Sequence, residues 1–391
     1  MTMDRRSMVF SGLLAAGAAG AQGALAAEVQ GRPAPAPPSR GGRFRRDRID
    51  VHHHIVPPAF LAAMERHGVK EVAGAPLPHW TPEKSLDVMN LYGVQTALVS
   101  LSAPGVYFGD LPEAKSLSRA CNEFAAEMSA AHPGRFGSFA VLPMPFTEAA
   151  CAEAIHALDV LHADGVVLLG STEGVFLGDP RFDELMAELN RRKAKVFVHP
   201  NLHPTSSQLD LQIPGYLVEF VCDTTRAATN LIFQGVLHRY PSITWILAHA
   251  GGFLPYIAWR LSLANDQPAL ASKAGEGVMG AIRKFYFDTA LSPSPYAMAG
   301  LKELVGPSRI LFGSDFPFAP APAVGMEVKS LDGLRVLDGP AKSEINRTNA
   351  LGLFPRLAAF SGAAHVSGAG RKLKRAVTKP IVNLADTLRK R

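Results

Sequence analysis

The stretch Arg48-Ile49-Asp50-Val51-His52-His53-His54 is a short run containing β-branched residues that ends in three consecutive histidines, and Ile55-Val56-Pro57-Pro58 follows it. This is the composition of a β-strand that leaves a core and opens into a pocket. Side chains alternate faces along a strand, so His52 and His54 point one way and His53 the other. Two imidazoles on one face, two positions apart, can share a divalent ion. A histidine can equally be a hydrogen-bonded interior residue, so the rest of the chain has to decide.

Moving outward, short apolar runs recur at Arg48 to His54, Gln95 to Leu101, Phe136 to Val141, Gly165 to Leu169, Lys195 to His199, Thr244 to Ala248, Phe285 to Asp288 and Ile310 to Phe312. Between most of them lie stretches with helical periodicity, among them Leu111 to His132, Glu148 to Leu161 and Arg181 to Arg192. Eight strands alternating with helices over residues 48–357 predict an α/β fold, a (β/α)8 TIM barrel. A last helix is expected from Asn349 through Leu357.

In such a barrel, chemistry belongs at the C-terminal ends of the strands. His52 and His54 end the first run, His199 the fifth in Val198-His199-Pro200, and His249 the sixth in Ala248-His249-Ala250-Gly251-Gly252; Asp315 follows the eighth in Gly313-Ser314-Asp315-Phe316-Pro317. All five are expected to meet at one mouth. Neutral imidazoles with one carboxylate and no thiolate suit Zn²⁺, with Mn²⁺ next. His52, His54, His199 and Asp315 are therefore the candidate metal ligands, and His249 is a candidate acid or base near neutral pH. The glycines after His249 allow backbone to approach a ligand closely.

Composition excludes other classes. With 47% hydrophobic and 19% charged residues, 391 residues support one large core rather than a disordered chain. Cys121, Cys151 and Cys222 have neither the number nor the spacing of a disulfide framework or a thiolate zinc site. The net charge of +6 sits at the ends: residues 371–391 carry +7 and residues 1–50 carry +4, leaving −5 on residues 51–370. That mildly acidic body offers no surface for tracking nucleic-acid phosphates.

The ends read separately. Arg5-Arg6 precede a moderately apolar, Ala/Gly-rich run with Ala24-Leu25-Ala26 near its close, so residues 1–27 are expected to be a twin-arginine signal peptide and the protein periplasmic or secreted. The run is too short and weakly apolar for a membrane span. Residues 28–47, rich in Pro, Gly and Arg, read as a linker. Residues 358–391 read as a flexible basic tail.

Asp-Val-His-His-His, Val-His-Pro, His-Ala-Gly-Gly and Gly-Ser-Asp-Phe-Pro together resemble the amidohydrolase superfamily, in the branch of aminocarboxymuconate semialdehyde decarboxylase and the non-oxidative aromatic acid decarboxylases. Within that branch the pattern is most similar to the 6-methylsalicylate decarboxylases. The likeness runs from about Arg48 to about Leu357 and extends through Val99-Ser100-Leu101-Ser102-Ala103-Pro104-Gly105, Asn122-Glu123-Phe124 and Pro133-Gly134-Arg135-Phe136-Gly137. It implies that His52, His54, His199 and Asp315 hold the metal and that His249 is the catalytic histidine. His52 follows the semialdehyde-decarboxylase pattern, since other members have Glu there. Ala250-Gly251-Gly252 departs slightly from the family's glycine-rich segment. Arg260 corresponds to an arginine that crosses a dimer interface to a substrate carboxylate, which implies a homodimer.

The reaction implied is decarboxylation of a small aromatic, hydroxybenzoate-type acid. Asp315, or His249, delivers a proton to the carboxylate-bearing carbon, CO₂ leaves and aromaticity returns. The alternatives are a hydrolase of a lactone, ester or amide, with His249 activating water, and an exported binding protein that retains the pocket. Trp80, Phe253 and Phe316 are candidates for a pocket wall, with ordinary packing as the plainer role. His53 is expected to support or pack, Asp50 and Asp288 to bond backbone, and His203 and His238 show no partner pattern.

Overall fold

The computed structural model describes residues 47–209 and 211–360. The expected leader, almost all of the linker and the basic tail beyond Phe360 lie outside the described residues. Eight strands form one sheet in sequence order: β1 (Arg48–His54), β2 (Val94–Ser100), β3 (Phe136–Val141), β4 (Gly165–Leu169), β5 (Lys195–His199), β6 (Thr244–Leu247), β7 (Tyr286–Asp288) and β8 (Ile310–Leu311). Every neighbouring pair in that order is parallel. Backbone hydrogen bonds bring the last strand back to the first: Val51 N–H donates to Phe312 O at 2.9 Å and His54 N–H to Phe316 O at 2.6 Å. The expected (β/α)8 barrel is the observed architecture.

Parallel strands are buried on both faces, which is why their sequences read as nearly continuous apolar runs. One set of side chains, including Ile49, Leu98, Phe139, Val167, Phe197, Ile246 and Leu311, fills the barrel. A second set, including Val99, Ala140, Leu168, Val198, Trp245 and Phe287, packs against the helices. The principal helices between or after strands are α1 (Pro82–Tyr92), α2 (Leu111–Ala131), α3 (Thr147–Asp159), α4 (Asp183–Arg191), α5 (Glu219–Phe233), α6 (Leu254–Ser262), α7 (Pro295–Val305) and α8 (Ala321–Gly333). Local signals start several of them. Thr81, Asp110 and Ser294 each accept from a backbone amide three residues on, and a proline stands in the first turn of each helix they cap.

Two expectations of helix extent are corrected. Arg181 to Arg192 divides into a 3₁₀ turn, Pro180–Phe182, and α4. The last helix stops at Leu353: Phe354 takes φ −126° because Pro355 follows it, and Pro355–Phe360 continues as a 3₁₀ turn. Among the described residues no helix is long and apolar enough to cross a membrane.

One irregularity matters for function. β1 pairs Asp50 with Ala97 and His53 with Val99, so three steps along β1 match two along β2. This bulge keeps His52 and His54 facing the barrel interior and places Asp50 and His53 together on the outer face.

Candidate active site

Five buried groups meet where the strands end. His52, His54 and His199 are between 0 and 1% exposed, and His249 and Asp315 are 5 and 6% exposed. One ligand atom from each of His52, His54, His199 and Asp315 lies within 4.8 Å of every other. His52 Nε2 is 3.0 Å from His54 Nε2, and Asp315 Oδ1 lies 3.2 Å and 3.0 Å from those two nitrogens.

The far nitrogen of each ring fixes its tautomer. His52 Nδ1 lies 2.7 Å from Asp288 Oδ2, His54 Nδ1 is 3.3 Å from the Ser100 carbonyl, and His199 Nδ1 is 2.9 Å from the Pro200 carbonyl. Each Nδ1 therefore carries the proton and donates it, which leaves each Nε2 with a lone pair. The Nε2 lone pairs of His52 and His54 then face each other at 3.0 Å beside a carboxylate oxygen. Such an arrangement is repulsive unless a proton or a metal ion lies among the donors, and three imidazole nitrogens converging with one carboxylate oxygen fit a divalent ion. These four residues form a single candidate metal site.

The electrostatics agree. Burial opposes a charge on His52, yet the Asp288 and Asp315 carboxylates outweigh it and pull its pKa up to about 10, the mark of a place that wants positive charge. Burial pushes His54 below its ordinary value, and burial with three neighbouring histidines pushes His199 well below, so both rings are neutral. Burial also resists ionisation of Asp315, but His52 and the other histidines around it hold its carboxyl well below the usual range.

His249 stands beside this cluster. Neither ring nitrogen has a hydrogen-bond partner among the described residues, and Nε2 is 3.8 Å from Asp315 Oδ2. Asp315 thus turns one oxygen to the His52 and His54 nitrogens and the other to His249. His249, Ala250 and Asp315 all have φ between 53° and 55°, a left-handed backbone that non-glycine residues seldom adopt. The neighbouring glycines allow close packing there: a Cβ on Gly252 would come within 2.2 Å of the Val221 carbonyl oxygen, and one on Gly313 within 2.8 Å of the Cβ of His52.

Asp288 does bond backbone as expected, taking the amides of His249 at 2.9 Å and Ala290 at 3.0 Å. Its bond to His52 Nδ1 adds a role that sequence reasoning missed, although its place at the end of β7 was visible. Two further acids were missed. Asp223, on α5, accepts from Ser171 Oγ at 2.7 Å and from the Asn201 amide at 2.9 Å, bracing the loops after β4 and β5, and burial lifts its pKa to about 6. Glu327, on α8, is buried, and burial together with the charge of Asp315 outweighs the nearby Leu291 backbone amide and lifts its pKa to about 9. Glu327 lies on the apolar stripe Val324, Val328, Leu331, and Asp223 on the stripe Phe220, Ala227, Leu231, so helical spacing carried a signal for both.

The aromatic candidates divide. Phe316 packs on the His53 ring at 5.1 Å, on the outer face, so it is not a wall of the metal pocket. Trp80 is half-buried and Phe253 is 42% exposed. Instead, Phe197, Phe220 and Phe318 pack edge-on against His52, His199 and His54 at 4.9, 5.8 and 5.6 Å. Arg260 lies on the exposed face of α6 and is not among the groups that the single chain brings to the cluster. The loops after β1 and β5, on opposite sides of the ring of strands, meet where Tyr216 N–H donates to Ala73 O at 3.1 Å.

Fold and site together define a (β/α)8 barrel with a histidine and carboxylate metal centre. The chain belongs to the amidohydrolase family, whose model matches residues 49–356. It is 39% identical over 319 residues to the 6-methylsalicylic acid decarboxylase of Penicillium expansum, covering 79% of this chain and 97% of that protein. A crystal structure of an amidohydrolase II superposes with a TM-score of 0.74 at 30% identity, over 79% of this chain and 99% of that one. The dihydroxybenzoic acid decarboxylase of Polaromonas sp. JS666, solved with bound manganese and 2-nitroresorcinol, shares the fold with a TM-score of 0.70 at 23% identity, over 79% and 97%.

Asp288→Asn removes the charge that orients His52 and should weaken divalent-metal affinity by roughly 10–100-fold, read by titration calorimetry of the apo-protein. Glu327 binds its proton more tightly folded than unfolded, because its pKa rises from 4.5 to about 9. The stability this confers is complete below about pH 4.5 and is lost as pH rises toward 9. Calorimetric Tm values should therefore converge for Glu327→Gln and the parent near pH 5, with the variant higher near pH 8; parallel curves would refute the assignment.

Proposed function

We infer that this chain is a metal-dependent, non-oxidative decarboxylase of a small aromatic, hydroxybenzoate-type carboxylic acid, with 6-methylsalicylate-like acids as the nearest candidates. The observation that carries the reading is the divided carboxylate of Asp315, one oxygen toward the imidazole nitrogens of the metal site and the other 3.8 Å from an otherwise unpartnered His249. The similarity to 6-methylsalicylic acid decarboxylase over nearly all of that protein's length supports the reaction class.

His52, His54, His199 and Asp315 hold the ion, zinc by preference for this donor set and manganese next. When bound, the ion supplies a Lewis acid that orients the substrate's carboxylate and neighbouring hydroxyl and stabilises charge on oxygen. The residues do the rest. Phe318 and Phe220 give the aromatic ring an apolar wall, and the bridge from Tyr216 to Ala73 limits water. His249 brings a proton to the carboxylate-bearing carbon, directly or through the Asp315 oxygen that faces it: a C–H bond forms, the C–C bond to the carboxylate breaks, its electron pair restores the aromatic ring, and CO₂ departs. Each turnover consumes one proton, and the Asp315–His249 pair is where it enters.

Loading the purified chain with Zn²⁺ or Mn²⁺ and following ortho-hydroxybenzoates and aryl lactones by mass spectrometry tests this. CO₂ loss from a benzoate is expected, and chelation should abolish it. His249→Asn should lower kcat by about 10²–10⁴-fold while metal content stays unchanged. Lactone opening without decarboxylation would replace this reading with a hydrolase; no turnover of either class would remove both.

The reading includes a homodimer in which Arg260 reaches the neighbouring subunit's substrate carboxylate. Its support is the unusual exposure of aromatic surface beside Arg260: Tyr256 is 89% exposed, Trp259 78% and, on α7, Tyr296 89%. Sedimentation should give a dimer, and Arg260→Met should raise KM about tenfold or more through loss of the carboxylate anchor; a fully active monomer contradicts it. Twin-arginine export completes the reading, checked by the mass of the chain recovered from periplasm.

A further inference from the structure

Behind the metal site, on the outer face of β1, four side chains form a continuous hydrogen-bonded chain. Trp80 Nε1 lies 2.8 Å from Ser85 Oγ, Ser85 Oγ 2.9 Å from His53 Nε2, and His53 Nδ1 3.1 Å from Asp50 Oδ2. Ser85, His53 and Asp50 are 0 to 1% exposed. The direction of every bond is determined. A carboxylate can only accept, so His53 Nδ1–H donates to Asp50; the neutral ring's Nε2 then accepts from Ser85 Oγ–H, and Ser85 Oγ accepts the indole N–H of Trp80.

Asp50 is where this chain meets the metal site. Its Oδ1 accepts the amides of His52 and Ser314, each at 3.1 Å, and its Oδ2 accepts Ser314 Oγ–H at 2.5 Å as well as His53. Four donors saturate the carboxylate, and three of them belong to His52 itself and to the residue preceding Asp315. Asp315 has a left-handed backbone, φ 53°, so its position depends on how firmly its neighbours are held. The bulge in β1 makes the arrangement possible, because in a regular strand Asp50 and His53 would lie on opposite faces.

The triad-like order Asp50, His53, Ser85 is not a nucleophile, since Ser85 is fully buried and already holds the Trp80 indole. We propose that the Trp80–Ser85–His53–Asp50 relay is a positioning device for the metal centre, with His53 setting, through Asp50, the placement of His52 and Asp315. The relay also ties α1 and the loop before it to the ligand-bearing strand, so the metal geometry depends on a helix that contributes no ligand.

This inference rests on the metal-site reading, and one experiment separates the two. The apo forms of the parent, His53→Leu, His53→Asn and Ser85→Ala are titrated with Co²⁺, recording the affinity and the visible absorption bands, which report ligand geometry, alongside the Tm of each apo-protein. His53→Leu should weaken Co²⁺ binding by about 10–100-fold and alter the bands. His53→Asn, whose amide N–H stands in for Nδ1–H toward Asp50, should recover most of both. Ser85→Ala is the smaller change and remains informative if the leucine variant does not fold; it should weaken binding severalfold. Co²⁺ affinity and bands unchanged in Ser85→Ala and His53→Leu, whatever their Tm, overturn the relay and leave the metal site standing. A parent chain that takes up no Co²⁺ overturns both.

Discussion

The carbonyl of His52 accepts two amides, Ser314 at 3.2 Å and Asp315 at 2.8 Å, and the rest of the site depends on this pair of hydrogen bonds. They belong to the seam where the eighth strand returns to the first. The same contacts that bring the sheet round therefore carry the carboxylate ligand to the first two histidines. Barrel closure and ligand assembly are one event, separated in sequence by more than 250 residues. Closure is a long-range pairing whose loop entropy must be repaid by the packed interior, which here is apolar up to Phe197, in edge contact with His52.

Around that seam four carboxyl groups meet different surroundings. Asp315 faces histidines and stays ionised despite burial. Asp288 and Asp50 are surrounded by amide, hydroxyl and imidazole donors. Glu327 has at most the Leu291 amide beside it, feels Asp315, and keeps its proton. Charge of one sign is tolerated only where donors or a cation answer it, which is why the ligand set is incomplete as a physical object without an ion.

Much of the fold was legible because a parallel barrel writes itself as apolar runs of fixed length. Phe136–Val141, Gly165–Leu169 and Lys195–His199 match the sequence reading residue for residue, and β2, β6, β7 and β8 differ only at their ends. Placing His199 at the end of β5 and Asp315 after β8 followed from the same runs and from the rule that barrel chemistry sits at one rim. The bulge was not legible. A slip of one residue in pairing depends on the partner strand, and nothing in Asp50-Val51-His52-His53 announces it. Phe316 takes the plainer of its two expected roles, packing, because the turn after β8 sends its ring to the outer face, against His53.

The sequence by itself determined the element order, the strand ends that carry polar residues, and the donor chemistry, because periodicity and side-chain type are local properties. Only the tertiary structure decided which nitrogen of each histidine faces the metal site, since each tautomer is set by a partner distant in sequence: Asp288 for His52, Ser100 for His54. It also decided that Asp315 divides its two oxygens between those histidines and His249, and that Asp50 and His53 share a face. These are questions of distance and direction across strands, and they acquire answers only when the chain closes on itself.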